Sequence, residues 1–316
     1  MHLLIPFACS TAPACSQALK PLQLPHLEKL LRRLALVNTD AGQATSLTPP
    51  HERVLARLQG LAAPDGCIAW AAHEVALSGR DPGALAWAWI TPVHWDVGAD
   101  HITMADPRTL DLQEAESREL LSAMQPFFAQ DGIALEYATA QRWLARGDIF
   151  GNLASASLDR VAGREISAWM PGTASLRRLQ NEMQMLLYTH PINDARGARN
   201  RATVNSFWIS GTGGLPKSAL PVHPEAGRGT NALEVVDTLR DAALRNDWAA
   251  WTQCWIDVDR NECRTLLESS SAGKTAQLTL CGERSALRFD SAQDGMLNQL
   301  RRRFTRTTLQ DLRNQL

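Results

Sequence analysis

Asn181-Glu182-Met183-Gln184-Met185-Leu186-Leu187-Tyr188-Thr189-His190-Pro191-Ile192-Asn193-Asp194-Ala195-Arg196 runs into Asn205-Ser206-Phe207-Trp208-Ile209-Ser210-Gly211-Thr212-Gly213 after eight intervening residues. Upstream of it, Gly172-Thr173 opens a helix with Leu176, Leu179, Met183, Leu186 and Leu187 on one face. Val204 to Ile209 then reads as a strand, rich in aromatic and β-branched residues, that stops in the glycine-rich run from Gly211. An amphipathic helix followed by a short apolar strand is the signature of an α/β protein.

Working outward, the same alternation recurs. His2 to Pro6 reads as a buried strand, Pro25 to Leu34 as a leucine-faced helix, and residues 38–50 as a linker before a helix that starts near Pro50. Cys67 to Ala72 and Ala84 to Ile90 are expected as a hairpin about the Ser78 to Gly83 turn. Asp111 and Glu114 resemble a capping box for a helix carrying Leu120, Leu121, Met124 and Phe128. Ile133–Tyr137 and Arg142–Ala145 follow as strands. After a Pro/Gly-rich loop over 215–231, a helix with Leu233, Val236, Leu239 and Leu244 is expected, then a Trp-rich segment, strands at Ala276–Cys281 and Ala286–Phe289, and a basic C-terminal helix. At 316 residues, against roughly 150 for one domain, two lobes are expected: one from 1–49 with 216–316, and an α+β insertion over 50–215.

Composition narrows the function. Lys and Arg (32) balance Asp and Glu (33), so no global field draws nucleic acid or an anionic membrane. No apolar run approaches the roughly 18 residues of a membrane span, and no membrane partner is expected. Met1 to Pro6 has no basic flank and is broken by proline, so it is not read as a signal peptide. Six scattered cysteines without a Cys-x-x-Cys pair fit reduced thiols and a cytoplasmic location. Arg301, Arg302, Arg303 and Arg306 form a basic patch, read as a solvated helix face.

Three constellations could carry chemistry. His190, Asn193, Arg196, Asn205 and the Gly211–Gly213 turn offer planar donors and backbone N–H groups that suit a phosphate or carboxylate. The alternative is a helix end, a turn cap, a solvated arginine and a tight bend. His94, Asp96 and His101 are the closely spaced imidazoles and carboxylate that would take a divalent metal, with a polar turn as the alternative. Gly211 to Ser218 has P-loop spacing, but Pro216 stands at the second glycine and removes a cradling N–H.

The order Asn, helix, His-Pro-Ile-Asn-x-x-Arg, Asn, aromatic strand, Gly-x-Gly resembles the archaeal-type cofactor-independent phosphoglycerate mutases of the alkaline phosphatase superfamily. Lys20-Pro21-Leu22-Gln23-Leu24-Pro25-His26-Leu27-Glu28 resembles their Thr-Pro-Asn-Leu-Asp segment, and Asp148 also falls in the family's order. The Asn-Glu-Met-Gln-Met-Leu-Leu-Tyr, His-Pro-Ile-Asn and Asn-Ser-Phe-Trp strings are similar to bacterial proteins of the RpfE-type regulatory, phosphoglycerate mutase-related kind. The resemblance implies an alkaline-phosphatase-like sheet lobe with an insertion lobe.

Superfamily catalysis uses two divalent metals held by Asp and His beside a Ser or Thr nucleophile. Here the first-strand Asp-Gly is replaced by Pro6-Phe7-Ala8, the late Gly-Asp-His by Gly282-Glu283-Arg284, and no histidine follows His223. The substrate-gripping arginine segment is reduced to Met104-Ala105-Asp106-Pro107-Arg108. The implied protein is a degenerate relative, a pseudoenzyme with no catalytic residue and no resident cofactor, that binds a small phosphorylated or carboxylated metabolite or a protein partner. A residual metal-dependent mutase or phosphomonoesterase, and a scaffold without a small ligand, are the alternatives.

Overall fold

The computed structural model describes residues 1–215, 232–291 and 307–316, which form a mixed α/β protein of two compact units. The first comprises Met1–Ala44, Pro49–Leu55 and Val222–Leu316; the second comprises Thr45–Thr48 and Ala56–Pro221.

In the first unit, β1 (His2–Ile5), α1 (Pro13–Leu19), α2 (Pro25–Arg33), β2 (Ala35–Asp40) and the start of α3 (Pro50–Leu58) come from the N-terminal part of the chain. The later part supplies β9 (Leu233–Val235), α9 (Arg240–Leu244), α10 (Trp248–Val258), α11 (Arg264–Ser271), β10 (Gln277–Cys281), β11 (Ala286–Asp290) and α12 (Leu309–Leu312). The sheet order is β2-β11-β10-β1-β9, with β1 parallel to β10 and β9, and β11 antiparallel to both β10 and β2. The short apolar run of β1 fits this place: all four residues are buried, as a strand covered on both faces requires. Leu27, Leu30 and Leu31 of α2 join Trp251 and Trp255 of α10 in the core with Leu3, Ile5, Leu278 and Leu280. The two indoles meet edge to face at 6.2 Å. Their N–H groups donate to Phe7 O (3.0 Å) and Ala8 O (3.2 Å), so the Trp-rich helix fixes the end of β1.

His2 is the one charged-type side chain drawn into this strand. Its Nε2 lies 2.8 Å from Thr279 Oγ1, and burial, reinforced by the Arg288 guanidinium, lowers its pKa to about 4.

In the second unit, β3 (Trp87–Val93), β6 (Ala134–Thr139), β7 (Arg142–Arg146) and β8 (Ser206–Gly213) form an antiparallel sheet of order β6-β7-β3-β8. Period-two alternation sends Ile90, Trp143, Phe207 and Ile209 to one face, against Leu120, Met124 and Phe128 of α5 (Glu114–Gln130) and Leu176, Leu179 and Met183 of α7 (Ala174–Tyr188). Trp87 and Leu144 point the other way, onto Ala71, Ala72 and Val75 of α4 (Trp70–Leu77). A small hairpin, β4 (Trp95–Val97) with β5 (Ile102–Met104), and the short helices α6 (Leu158–Val161) and α8 (Pro191–Ala198) complete it. Among the described residues no helix is long and apolar enough to cross a membrane.

Several expectations are corrected. Cys67 to Ala72 is not a strand: Ala71, Ala72 and Val75 bury one helical face, so an apolar run without alternation becomes the start of α4. Asp111 does not cap α5. It is left-handed (φ 46°), and Gln113 with Glu116 makes the capping box. Residues 38–40 belong to β2 rather than a linker, because β11 offers them ladder partners. Leu233 lies in β9, where pairing to β1 overrides the helical spacing. The Trp-rich segment is α10 itself. The basic arginines 301–306 lie outside the described residues.

Candidate functional site

The constellation that the sequence singles out is folded inward. His190 is the N-cap of α8, its Nδ1 accepting from Ile192 N at 3.3 Å. Asn193 is buried and spends its amide on Leu187 O (2.8 Å), Val204 O (2.7 Å) and Val204 N (2.8 Å). Asn205 bridges Trp95 N and Trp95 O at 2.7 and 2.8 Å. Arg196 is 0% exposed. Its Nε donates to Ala202 O (2.8 Å), one terminal nitrogen to Glu116 Oε2 (2.7 Å) and the other to Leu110 O. The expected solvated or ligand-gripping guanidinium is therefore a structural cross-link between α8 and the start of α5.

Gly211 and Gly213 form no turn. Both lie within β8, where the register against β3 shifts between Trp87 and Trp89. At Gly211 (φ +63°) an added Cβ would sit 2.8 Å from the Trp89 ring, so the glycine serves a bulge that lets the indole pack. Pro216 to Ser218 of the P-loop-like string lie outside the described residues.

His94, Asp96 and His101 are not assembled as a metal site. His94 Nδ1 is 2.8 Å from Thr203 O and its Nε2 is 3.2 Å from Asp96 Oδ1. His101 sits past the hairpin register, at the turn where its carbonyl accepts from Gly98 N, and the three do not bring their donor atoms within 4.8 Å of one another.

Open α/β sheets place ligands beyond the carboxyl ends of their parallel strands. Here those ends are the loops after β1, β10 and β9. Phe7 is held at φ 55°, and its ring lies 5.3 Å from that of His51, on α3. A non-glycine residue in that conformation marks strain that the surroundings must impose. Glu283, in the loop after β10, accepts from Thr11 N (2.9 Å), from the Thr11 hydroxyl and, at 3.4 Å, from Ser10 Oγ. Neither α1 nor α2 has a side-chain cap of its own. Glu283 fixes the entry to α1, as a local capping residue would.

Asp259 does the corresponding work for α2. Its carboxylate accepts from Leu27 N (2.8 Å) and His26 N (3.3 Å), the N–H groups that open the helix, and from His26 Nδ1 at 2.9 Å. Asp259 begins a π-helical turn, Asp259–Cys263, that interrupts the otherwise continuous helix from α10 to α11. Such turns insert a residue and re-aim the side chains around them. The turn carries Asp259 into the core (2% exposed) and leaves Arg260 exposed. Between α2 and α10 lies a cavity of about 520 Å³ whose lining includes Pro21, Leu22, Gln23, His26, Ile256 and Arg260. Sequence reading missed Asp259 and Arg260. The only signal was a polar run, Asp257 to Glu262, interrupting an apolar helix.

No disulfide joins any of the six cysteines, and burial raises the thiols of Cys9 and Cys263 far above the ordinary range.

No protein-family model matches the chain. No curated protein sequence matches it either. Among solved structures it is similar to the cofactor-independent phosphoglycerate mutase from Thermoplasma acidophilum DSM 1728, at 13% identity and a TM-score of 0.36 over 94% of this chain and 90% of that one. It is also similar to the PH0037 protein from Pyrococcus horikoshii, at 10% identity and a TM-score of 0.39 over 95% and 92% of the two chains.

Proposed function

We propose that this chain is a non-catalytic, ligand-binding regulatory protein of the RpfE-type, phosphoglycerate mutase-related kind, working in the bacterial cytoplasm on a small phosphorylated or carboxylated metabolite. The observation that carries the reading is the use made of Glu283. A two-metal phosphoryl-transfer centre needs several carboxylate and imidazole donors clustered at the strand ends. The loops that follow β1, β10 and β9 contribute no imidazole and two carboxylates, Asp237 and Glu283, and Thr11 and Ser10 occupy Glu283. The donor set does not fit a metal pair, and those residues instead hold the helix entrance in place. The purified chain, given 2- or 3-phosphoglycerate with Mn²⁺ or Mg²⁺, is expected to show no mutase turnover. Metal-dependent turnover at roughly 1 to 1,000 per second would overturn the reading.

A second reading, a residual metal-dependent phosphomonoesterase, is favoured by one observation. His51 and Glu52, adjacent on the first turn of α3, hold donor atoms within 4.8 Å of each other, and the His51 ring lies beside strained Phe7. If that pair serves a metal, hydrolysis of p-nitrophenyl phosphate with Mn²⁺ is lost in His51→Ala. No hydrolysis by the wild-type chain removes this reading.

A further inference from the structure

The cavity between α2 and α10 carries hydrogen-bonding capacity that the fold does not use. Asp259 receives the Nδ1 proton of His26, which leaves Nε2 as the ring's remaining polar atom. No described residue partners that nitrogen, and its side chain is 27% exposed. The side chains of Gln23 and Arg260 line the same cavity and make no hydrogen bond or ion pair with any described residue. Thr252, also in the lining, donates to Trp248 O at 2.7 Å, so its hydroxyl offers an acceptor rather than a donor.

Charge decides which ligand suits these groups. Asp259 is the cavity's acidic residue, and it is buried beneath three donors. Glu28 and Glu262 are not in the lining. The unspent charge is therefore the Arg260 guanidinium, flanked by the Gln23 amide and an imidazole that a carboxylate holds in one orientation. Pro21, Leu22, Pro25 and Ile256 supply the apolar remainder of the lining. About 520 Å³ is the size of a small-molecule site, and a few convergent polar groups on an apolar wall are its usual chemistry.

We propose that this cavity binds a small organic anion, a carboxylate or a phosphate monoester, with the anionic group on the donors Arg260 and Gln23, the apolar body against Pro21, Leu22 and Ile256, and the acceptor His26 Nε2 beside it. The proposal rests on the ligand-binding reading above for the existence of a metabolite. It names residues remote in sequence from the loops after β1 and β10, so it stands or falls separately from the question of turnover.

The test uses the full chain and follows the ring Cε1–H resonance of His26 by NMR, assigned as the signal lost in His26→Gln. Benzoate, phenyl phosphate and inorganic phosphate are titrated separately. Benzoate or phenyl phosphate is expected to give a saturable shift, and which of them binds tighter assigns the anion class. Arg260→Ala should weaken that affinity roughly ten- to a hundredfold, the loss of one charge-assisted contact. Because Arg260 and Gln23 are exposed, Arg260→Ala and Gln23→Ala keep the test decisive even if His26→Gln disturbs α2. No saturable shift with either organic probe, or an unchanged affinity in Arg260→Ala, would overturn the proposal. Equal affinity for inorganic phosphate would overturn its apolar half.

Discussion

Arg196 in the second unit and Arg260 in the first each lie close in sequence to a polar group that caps a helix, yet they end in opposite states. Arg196 is fully buried and commits all three of its nitrogens to Ala202, Glu116 and Leu110. Arg260 is exposed on a π-helical turn, beside a cavity, and pairs with no described residue. Residue type and local spacing favoured the first as the ligand-gripping guanidinium. Burial inverts that ranking: a buried cation must be satisfied by the protein, so the capacity to bind something else is left to the arginine that the fold did not need.

The largest effect tests the buried side of this contrast. Arg196→Ala is expected to destabilise the chain by about 2–4 kcal/mol, because it removes a fully buried guanidinium, leaves the buried Leu110 carbonyl without its donor and takes from Glu116 one of its two donors. Urea unfolding of that variant beside Arg260→Ala measures the difference. Arg260→Ala should stay within about 0.5 kcal/mol of wild type, as exposed substitutions do. Equal losses in the two variants would break the contrast.

A smaller effect separates the units by pH. His2, at the start of β1 in the first unit's sheet, has a folded pKa of about 4 against an ordinary value near 6.5. Between these values the unfolded chain takes up a proton that the folded chain refuses. Stability is therefore complete above pH 6.5 and declines as pH falls, with the loss finished near pH 4 and amounting to at most about 3 kcal/mol. Unfolding followed by tryptophan fluorescence from pH 7 to 4 should show this decline, and His2→Gln should flatten it. An unchanged slope in that variant would assign the acid sensitivity elsewhere.

The smallest effect sharpens the cavity side. Asp259→Asn keeps the shape but weakens the acceptor that caps α2, at a cost of about 1–2 kcal/mol. It also releases the His26 ring, so the NMR response to benzoate or phenyl phosphate should diminish in parallel. A stability loss with an undiminished response would show that Asp259 caps the helix without orienting the imidazole.

Much of the element order was legible in the sequence, because it rests on local periodicity. The leucine spacing of α2, the apolar face of α7 and the short apolar run of β1 each specify their structure with little outside help. The readings that failed share a different cause. Cys67 to Ala72 gave no period to choose between strand and helix. Leu233 follows a ladder offered by β1, and the glycines of β8 accommodate Trp89 across the sheet rather than turning the chain.

The candidate site was still less legible. Leu24 is a poor N-cap, and nothing near it announces that α2 will be capped by Asp259, 233 positions away from His26 in the chain. The same holds for Thr11 and Glu283, 272 positions apart. By itself the sequence determined the class of protein and most of its helices and strands, since hydrophobic period and turn chemistry act over a few residues. Tertiary structure alone decided which polar groups are consumed and which remain available. Those hydrogen bonds join segments that meet only once the core has formed, and a buried donor or acceptor takes whatever partner the core places beside it.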